Sequence, residues 1–257
     1  MKQMKQMKQM NKDIVIIGHG EIGSSIAEVE KQAGNNVFVR DLYYAEENAS
    51  SQYAACHICI PYEDEESFIQ AVLEHIEQGI NADVYIIHST VEVGTTSKIY
   101  DKGIENVVHS FVRGVHPNLA RGLLTFEKPI GAITIEAAVC AYKHFESIGI
   151  KPRILYSPES SELGKLLSTT YYGYNILFAK MANGLCKELG LDYHDVYTWA
   201  NETYNKGYMD LDQDNVIRPV LDPPEGKIGG HCIGPNFKLL PEGDLKEFCL
   251  RLNEKDV

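Results

Sequence analysis

Asp13-Ile14-Val15-Ile16-Ile17-Gly18-His19-Gly20-Glu21-Ile22-Gly23 is the stretch that decides the fold. A β-branched run ends in a glycine cluster, and an amphipathic segment follows in which Ile26, Val29 and Ala33 recur at helical spacing. Gly34 stands where a helix C-terminus favours positive φ, and Asn35 to Asp41 resumes the extended pattern. Strand, tight turn, helix and strand close onto a parallel sheet by a right-handed crossover. The three glycines serve different ends, since Gly18 permits the turn, Gly20 lets backbone approach a pyrophosphate, and Gly23 lets the helix pack closely on the strand. The helix start, carrying Glu21 and Ile22, offers unpaired N–H groups and roughly half a positive charge to phosphates. Asp41 ends the second strand, where a carboxylate accepts from ribose hydroxyls, and this favours NAD over NADP. Arg40 beside it softens that preference if it turns to the same side.

Outward from this unit the alternation continues. Residues 53–61 read as a strand closed by Pro61, residues 64–79 as a helix, 83–90 as a strand, 94–103 as a helical turn and 106–110 as a strand. Residues 129–156 add strand, helix and strand, after which the strand signal disappears. The expected class is α/β: a Rossmann-type doubly wound parallel sheet over residues 12–157, followed by an all-α domain over 158–257 built on one long helix. Ser157 and Pro158 make a good N-cap and first helical position. Leu163, Leu166, Leu167, Tyr174, Leu177, Phe178, Met181 and Leu185 give that helix a broad apolar face. A second helix near Tyr193 to Tyr204, an ordered loop over 210–237 and a short helix near Pro241 to Leu252 complete the expectation. Residues 1–11, with the repeat MKQMKQMKQM, read as a solvated tail without a signal-peptide core.

With 257 residues, 24 Lys plus Arg against 36 Asp plus Glu and a net charge of -12, the chain repels nucleic acid and anionic lipid over most of its surface. Neither is expected as a partner. No apolar run reaches the roughly 18 residues of a membrane span. Six scattered cysteines, mostly inside apolar runs, argue against a secreted disulfide framework, so the expected compartment is the cytoplasm. Cys56-His57-Ile58-Cys59 has the look of a metal half-site, but a strand would send its side chains to opposite faces and no second pair answers it. No metal is expected.

Four further places carry chemistry. Ser89 and Thr90 end the fourth strand, at the edge where open α/β sheets hold ligands, and stand near the nicotinamide half of the cofactor; a cap for the following turn is the alternative for Ser89. Lys165 and Thr169 lie four apart on one face of the long helix, continued by Tyr172. Gly229-Gly230-His231-Cys232 places a thiol where backbone can crowd a ligand, a nucleophile if positive charge such as Lys165 or His231 lowers its pKa, and a buried structural thiol otherwise. Arg113, His116 and Arg121 suit an anionic group on a small-molecule substrate.

Together IVIIGHGEIG, HSTVEVGTT, SSELGKLL and GGHCIGPNF resemble, in order and spacing, the nucleotide-sugar dehydrogenases that act on UDP-glucose, GDP-mannose and UDP-N-acetylmannosamine. The resemblance runs from about residue 13 to 245 and implies a two-step, four-electron oxidation of a sugar alcohol with NAD. By it Cys232 would attack the aldehyde to give a thiohemiacetal that is oxidised to a thioester, and Lys165 would stabilise the oxyanion. It also implies a homodimer through the long helix. Three positions depart from the family: Asn236 replaces an aspartate that assists water, Thr169 replaces an asparagine, and Val112-Arg113 stands where a glutamate is usual. The family's third, nucleotide-binding domain has no counterpart before Val257, which leaves room for a separate chain that supplies it. Two alternatives stay open. One is a two-electron enzyme like the β-hydroxyacid and 6-phosphogluconate dehydrogenases, with Lys165 as acid/base and Cys232 dispensable; the other is a catalytically silent NAD-binding protein.

Overall fold

The structure, a computed structural model, describes residues 12–41, 44–45, 52–114, 117–228 and 233–254. Contacts divide the chain into two compact units, Met1–Lys165 and Leu166–Val257.

In the first unit, strand β1 (Asp13–Ile17) is buried on both faces and pairs in parallel with β2 (Asn36–Asp41) and β4 (Ala55–Ile58). Its near-continuous Ile and Val run is what a strand covered on both sides requires. Helix α1 (Glu21–Gln32) makes the crossover between β1 and β2. Beyond β4 come α2 (Glu65–Glu77), whose N-cap Asp64 accepts from Ser67 N–H at 2.9 Å, then β5 (Tyr85–Ile87), α3 (Thr95–Asp101) and β6 (Val107–His109). Among the described residues the sheet has eight strands, with β3 (Tyr44–Ala45), β7 (Glu127–Ala132) and β8 (Lys151–Ile154), in the order β3-β2-β1-β4-β5-β6-β7-β8, so the order reverses between β1 and β4.

Two pairings depart from an all-parallel sheet. The two-residue β3 (Tyr44–Ala45), not anticipated from sequence, runs antiparallel to β2. After α4 (Leu119–Thr125), also unanticipated, β7 (Glu127–Ala132) runs antiparallel to β6. An antiparallel neighbour begins at the end where its partner stops, so residues 110–114 and 117–126 stay at the carboxyl edge of the sheet instead of crossing to the other edge. Helix α5 (Ile135–Ser147), capped by Thr134, then leads to β8 (Lys151–Ile154), parallel to β7. Two apolar clusters form the core. One, around Ile14, Ile16, Val29, Ile86 and Phe145, includes residues of α1 and α5; the other, around Val15, Ile17, Phe68, Val72 and Ile87, includes residues of α2.

Helix α6 (Pro158–Leu189) is continuous through the division, whose last first-unit residue is Lys165. In the second unit it is followed by a π-helical turn at His194–Thr198, α7 (Trp199–Asp210), α8 (Ile233–Leu239) and α9 (Asp244–Glu254). Helix α8 occupies the end of what reads in the sequence as a loop. It is held because Gly173 removes the obstacle of a side chain: a Cβ there would lie 2.6 Å from both Ile233 and Phe237. Leu177, Ile228, Phe237 and Cys249 form this unit's buried cluster. The apolar face expected for α6 is divided. Leu166 and Leu177 are buried, while Leu167, Tyr174, Phe178 and Leu185 are exposed and Tyr171 extends their stripe.

Candidate active site

The glycine turn sits at the carboxyl end of β1, beside the reversal of strand order, where open α/β sheets carry their ligands. Gly18 has φ +88°, and a Cβ on it would lie 2.7 Å from the Cys59 carbonyl. Its N–H donates to the Arg40 carbonyl at 2.8 Å, which ties the turn to β2. Gly23 lies against Gly18, and a Cβ there would fall 1.9 Å from the Gly18 carbonyl oxygen. Gly20 differs from both: nothing lies within 4 Å of where its Cβ would be, and it is the N-cap of α1 with no side chain bonded to the helix start. Glu21 is exposed and Ile22 half-buried in the first turn.

Asp41 Oδ2 accepts the His19 N–H at 2.6 Å, so the carboxylate at the end of β2 is drawn to the turn. A carboxylate has about four lone-pair sites, so this bond is compatible with hydroxyls binding as well. The open backbone at Gly20, the uncapped 12-residue helix and the neighbouring carboxylate fit a dinucleotide's pyrophosphate and ribose.

Pro61, exposed, follows β4, and Ser89 and half-buried Thr90 follow β5. Ser89 is committed to the scaffold: its Oγ donates to the Ile60 carbonyl at 2.6 Å, and its own carbonyl faces His109 Nε2 at 3.1 Å. His109 Nδ1 lies 2.8 Å from Ser161 Oγ on α6, so the end of β5 is joined through a buried imidazole to the helical turn that precedes Lys165. Burial pushes the His109 pKa down to about 3, with the charges of Lys128 and Lys165 acting in the same direction and the bond to Ser89 opposing. The imidazole is therefore neutral.

Lys165 is half-buried, and its Nζ donates to the Val112 carbonyl at 3.2 Å, in the segment that follows β6. Arg113 is exposed in that segment, its guanidinium 5.1 Å from the centroid of the Phe111 ring, and Arg121 is exposed on α4. The fold thus places Lys165 against the segment that follows β6, which carries Val112 and Arg113. Thr169 is half-buried on α6 and Asn236 is buried in α8, both in the second unit. Cys232 and His116 lie outside the described residues, as do His231 and the N-terminal 1–11.

Sequence reasoning passed over Glu162. Fully buried on α6, it accepts the N–H groups of Gly94 at 2.6 Å and Thr96 at 2.9 Å and so caps α3. Burial raises its pKa, against the lowering effect of these bonds. Its place beside Lys165 in ELGK was legible, but its partner, some 60–70 positions away in sequence, was not. Among the described residues no helix is long and apolar enough to cross a membrane.

No family model matches the chain. It is similar to curated UDP-N-acetyl-D-mannosamine dehydrogenases. With that of Methanococcus vannielii it is 26% identical over 167 residues, 64% of this chain and 35% of the relative. With that of Pyrococcus horikoshii it is 27% identical over 207 residues, 74% of this chain and 45% of the relative. The chain thus spans about a third to a half of the length of these relatives. Among solved structures, that of UDP-D-ManNAc dehydrogenase from Pyrococcus horikoshii matches with TM-score 0.73 at 20% identity, covering 94% of this chain and 68% of that one. The 3-hydroxyisobutyrate dehydrogenase of Mycobacterium tuberculosis matches with TM-score 0.70 at 14% identity, covering 94% and 92%. At these identities the structural likeness establishes the fold.

Proposed function

We propose that the chain is part or all of an NAD-dependent oxidoreductase, nucleotide-sugar dehydrogenase-like, that oxidises an alcohol of a sugar or sugar-phosphate-like substrate. The observation that carries this reading is the open glycine turn beside Asp41 at the strand-order reversal, in a chain whose curated relatives are nucleotide-sugar dehydrogenases. NAD, when bound, supplies the acceptor for the hydride leaving the carbinol carbon. The protein's own part is positional and electrostatic. Gly18 and Gly23 shape the turn, Gly20 leaves the backbone open to the pyrophosphate, and Asp41 receives ribose hydroxyls, with Glu21, Ile22, Pro61, Ser89 and Thr90 lining the cofactor's course. Lys165, tethered by the Val112 carbonyl, stabilises negative charge that develops on the substrate oxygen. Arg113, His116 and Arg121 hold an anionic substrate group, and Cys232, Thr169 and Asn236 are the second unit's candidates for catalytic roles.

One observation favours a second reading, the two-electron oxidation of a hydroxyacid-type substrate with Lys165 as acid/base: the chain covers 92% of the 3-hydroxyisobutyrate dehydrogenase structure. The two differ in stoichiometry. Titration of the full chain with NAD, followed by counting NADH formed per UDP-N-acetylmannosamine or per 3-hydroxyacid, gives two for the first reading and one for the second. Lys165→Ala should lose turnover while keeping NAD affinity. Folded protein that takes up no dinucleotide would sink both readings.

The same reading includes a homodimer through α6. Leu167, Tyr171, Tyr174, Phe178 and Leu185 alternate by steps of about 3.5 residues and are all exposed, the pattern of a helix seam that meets another helix. Light scattering on eluting protein should give twice the chain mass, and Phe178→Asp should give the monomer. Co-purification would reveal a separate chain that supplies a third domain. The five free cysteines among the described residues support a reducing compartment, the cytoplasm.

A further inference from the structure

Between the sheet and helices α1 and α5 lies a cluster of buried polar groups that the proposed reaction does not use. Glu30 of α1 and His57 of β4 have no solvent exposure. Glu30 Oε1 lies 3.0 Å from His57 Nε2 and 2.8 Å from His144 Nε2, and the two imidazole nitrogens are 3.3 Å apart. Tetrahedral zinc, with bonds of about 2.0–2.1 Å, sets its ligand atoms about 3.3 Å from one another. The two imidazole nitrogens have that separation, and the carboxylate contacts, at 2.8 and 3.0 Å, are shorter than it.

Proton placement distinguishes this cluster from an ordinary hydrogen-bonded one. The Ser110 carbonyl can only accept, so His88 Nδ1, 2.7 Å away, carries a hydrogen. His88 Nε2 must then accept, at 2.9 Å, from His57 Nδ1–H. That leaves His57 Nε2 as a bare lone pair aimed at a carboxylate oxygen, which is an acceptor too. Lys128, 3.1 Å from His88 Nδ1, does not reverse the chain of donors: its hydrogens go to the carbonyls of Ser110 at 2.6 Å and Phe111 at 2.8 Å, both closer. Burial also holds the Lys128 pKa well below the usual amine range. Two facing acceptors in a dry interior call for a cation between them, either a proton on the imidazole or a metal ion.

The surroundings are those of a metal site. The Asn35 amide donates to Glu30 Oε2 at 2.6 Å and His57 donates its other ring N–H to His88, the outer hydrogen bonds that orient metal ligands. His144 lines a cavity of about 290 Å³, together with Lys12, Asn35, Asp83, Cys140 and Ser147, which gives access and room for water. Lys12, Asn35 and Asp83 precede β1, β2 and β5, so the cavity opens at the amino edge of the parallel strands, opposite the glycine turn.

We infer that Glu30, His57 and His144 form a site for one divalent transition-metal ion of the zinc class, with water from the cavity as the fourth ligand. The ion takes the place of the hydrogen at His144 Nε2, that hydrogen moving to Nδ1 of the same ring, and it clamps α1, β4 and α5 together. In the sequence, Cys56-His57-Ile58-Cys59 has the look of a half-site and no metal is expected; strand alternation sends Cys56 into the α2-side cluster, and the partners of His57 come from two helices distant in sequence.

The test uses the full chain stripped with EDTA, with Co2+ as a visible-absorbing probe and Zn2+ in calorimetry. One equivalent should bind and raise the melting temperature. His144→Gln, which keeps a donor to Glu30, should retain the far-ultraviolet spectrum and lose the uptake. Asn35→Ala, which leaves all three ligands, should weaken affinity by ~10–100-fold. His194→Ala, in the exposed Asp192–His194–Asp195 group, should change nothing. Folded wild type that binds no Co2+, or His144→Gln that binds it as tightly, overturns the proposal. If His144→Gln does not fold, unchanged affinity in Asn35→Ala overturns it.

Discussion

Lowering the pH from 7.5 to 5 should destabilise the sheet unit by at least about 2 kcal/mol, through histidines whose burial forbids their charge. His109 is fully buried, and its pKa is pushed down to about 3, whereas in the unfolded chain it titrates near 6.5. Above pH 6.5 neither state is protonated, and the stability is fully present. As the pH falls the unfolded chain takes up a proton that the folded chain refuses, so stability is lost progressively from about 6.5 down towards 3. At pH 5 the unfolded state has gained about 1.5 pH units of proton binding, which at 1.36 kcal/mol per unit is about 2 kcal/mol from this one residue. His57 and His88 are also lowered, first by burial, and add in the same direction. Glu30 does not act in this window. Burial works to raise its pKa, but the neighbouring His144 and His57 imidazoles bring it below the usual carboxylate range, so its share is lost only below about pH 4.5. Urea denaturation followed by circular dichroism at half-unit steps, with hydrogen exchange at the β5 and β6 amides, measures the slope. His109→Gln should reduce the slope by about one proton. A stability that stays flat from pH 7.5 to 5, or a slope unchanged in that variant, would refute the reasoning.

Further outcomes follow from single contacts. Gly23→Ala should abolish NAD binding and cost at least ~1–3 kcal/mol, because its Cβ would fall 1.9 Å from the Gly18 carbonyl oxygen; calorimetry and thermal melts check both effects. Glu162→Gln should cost about 1–3 kcal/mol in urea, since an amide has one acceptor oxygen where Gly94 and Thr96 each donate to a separate carboxylate oxygen. Phe237→Ala should cost ~3–5 kcal/mol by opening a cavity beside Gly173, read as earlier loss of α8 and α9 protection in hydrogen exchange.

Much of the scaffold was legible because its signals are local. The glycine turn, the strand-helix alternation and the proline-free run of α6 each depend on residues within a few positions of one another. The direction of β7 was not, since an isolated strand carries no mark of the neighbour it will meet. Nor was the division of the α6 face: Leu166 and Leu167 are equally apolar, and only packing made one buried and the other exposed. Ser89 reads as well for a ligand contact as for a cap, until the Ile60 carbonyl is found within reach of its hydroxyl.

By itself, then, the order of residues determined an α/β sheet with a dinucleotide-type turn and a long helix after it, because backbone freedom at Gly18 and apolar spacing along α1 are properties of short segments. Tertiary structure alone decided which buried groups meet. Glu30, His57, His88 and His144 come from two helices, a strand and the end of another, and Glu162 reaches α3 across the fold. In a buried site a charge or lone pair is defined by what faces it, and those facing groups are brought together only when distant segments pack.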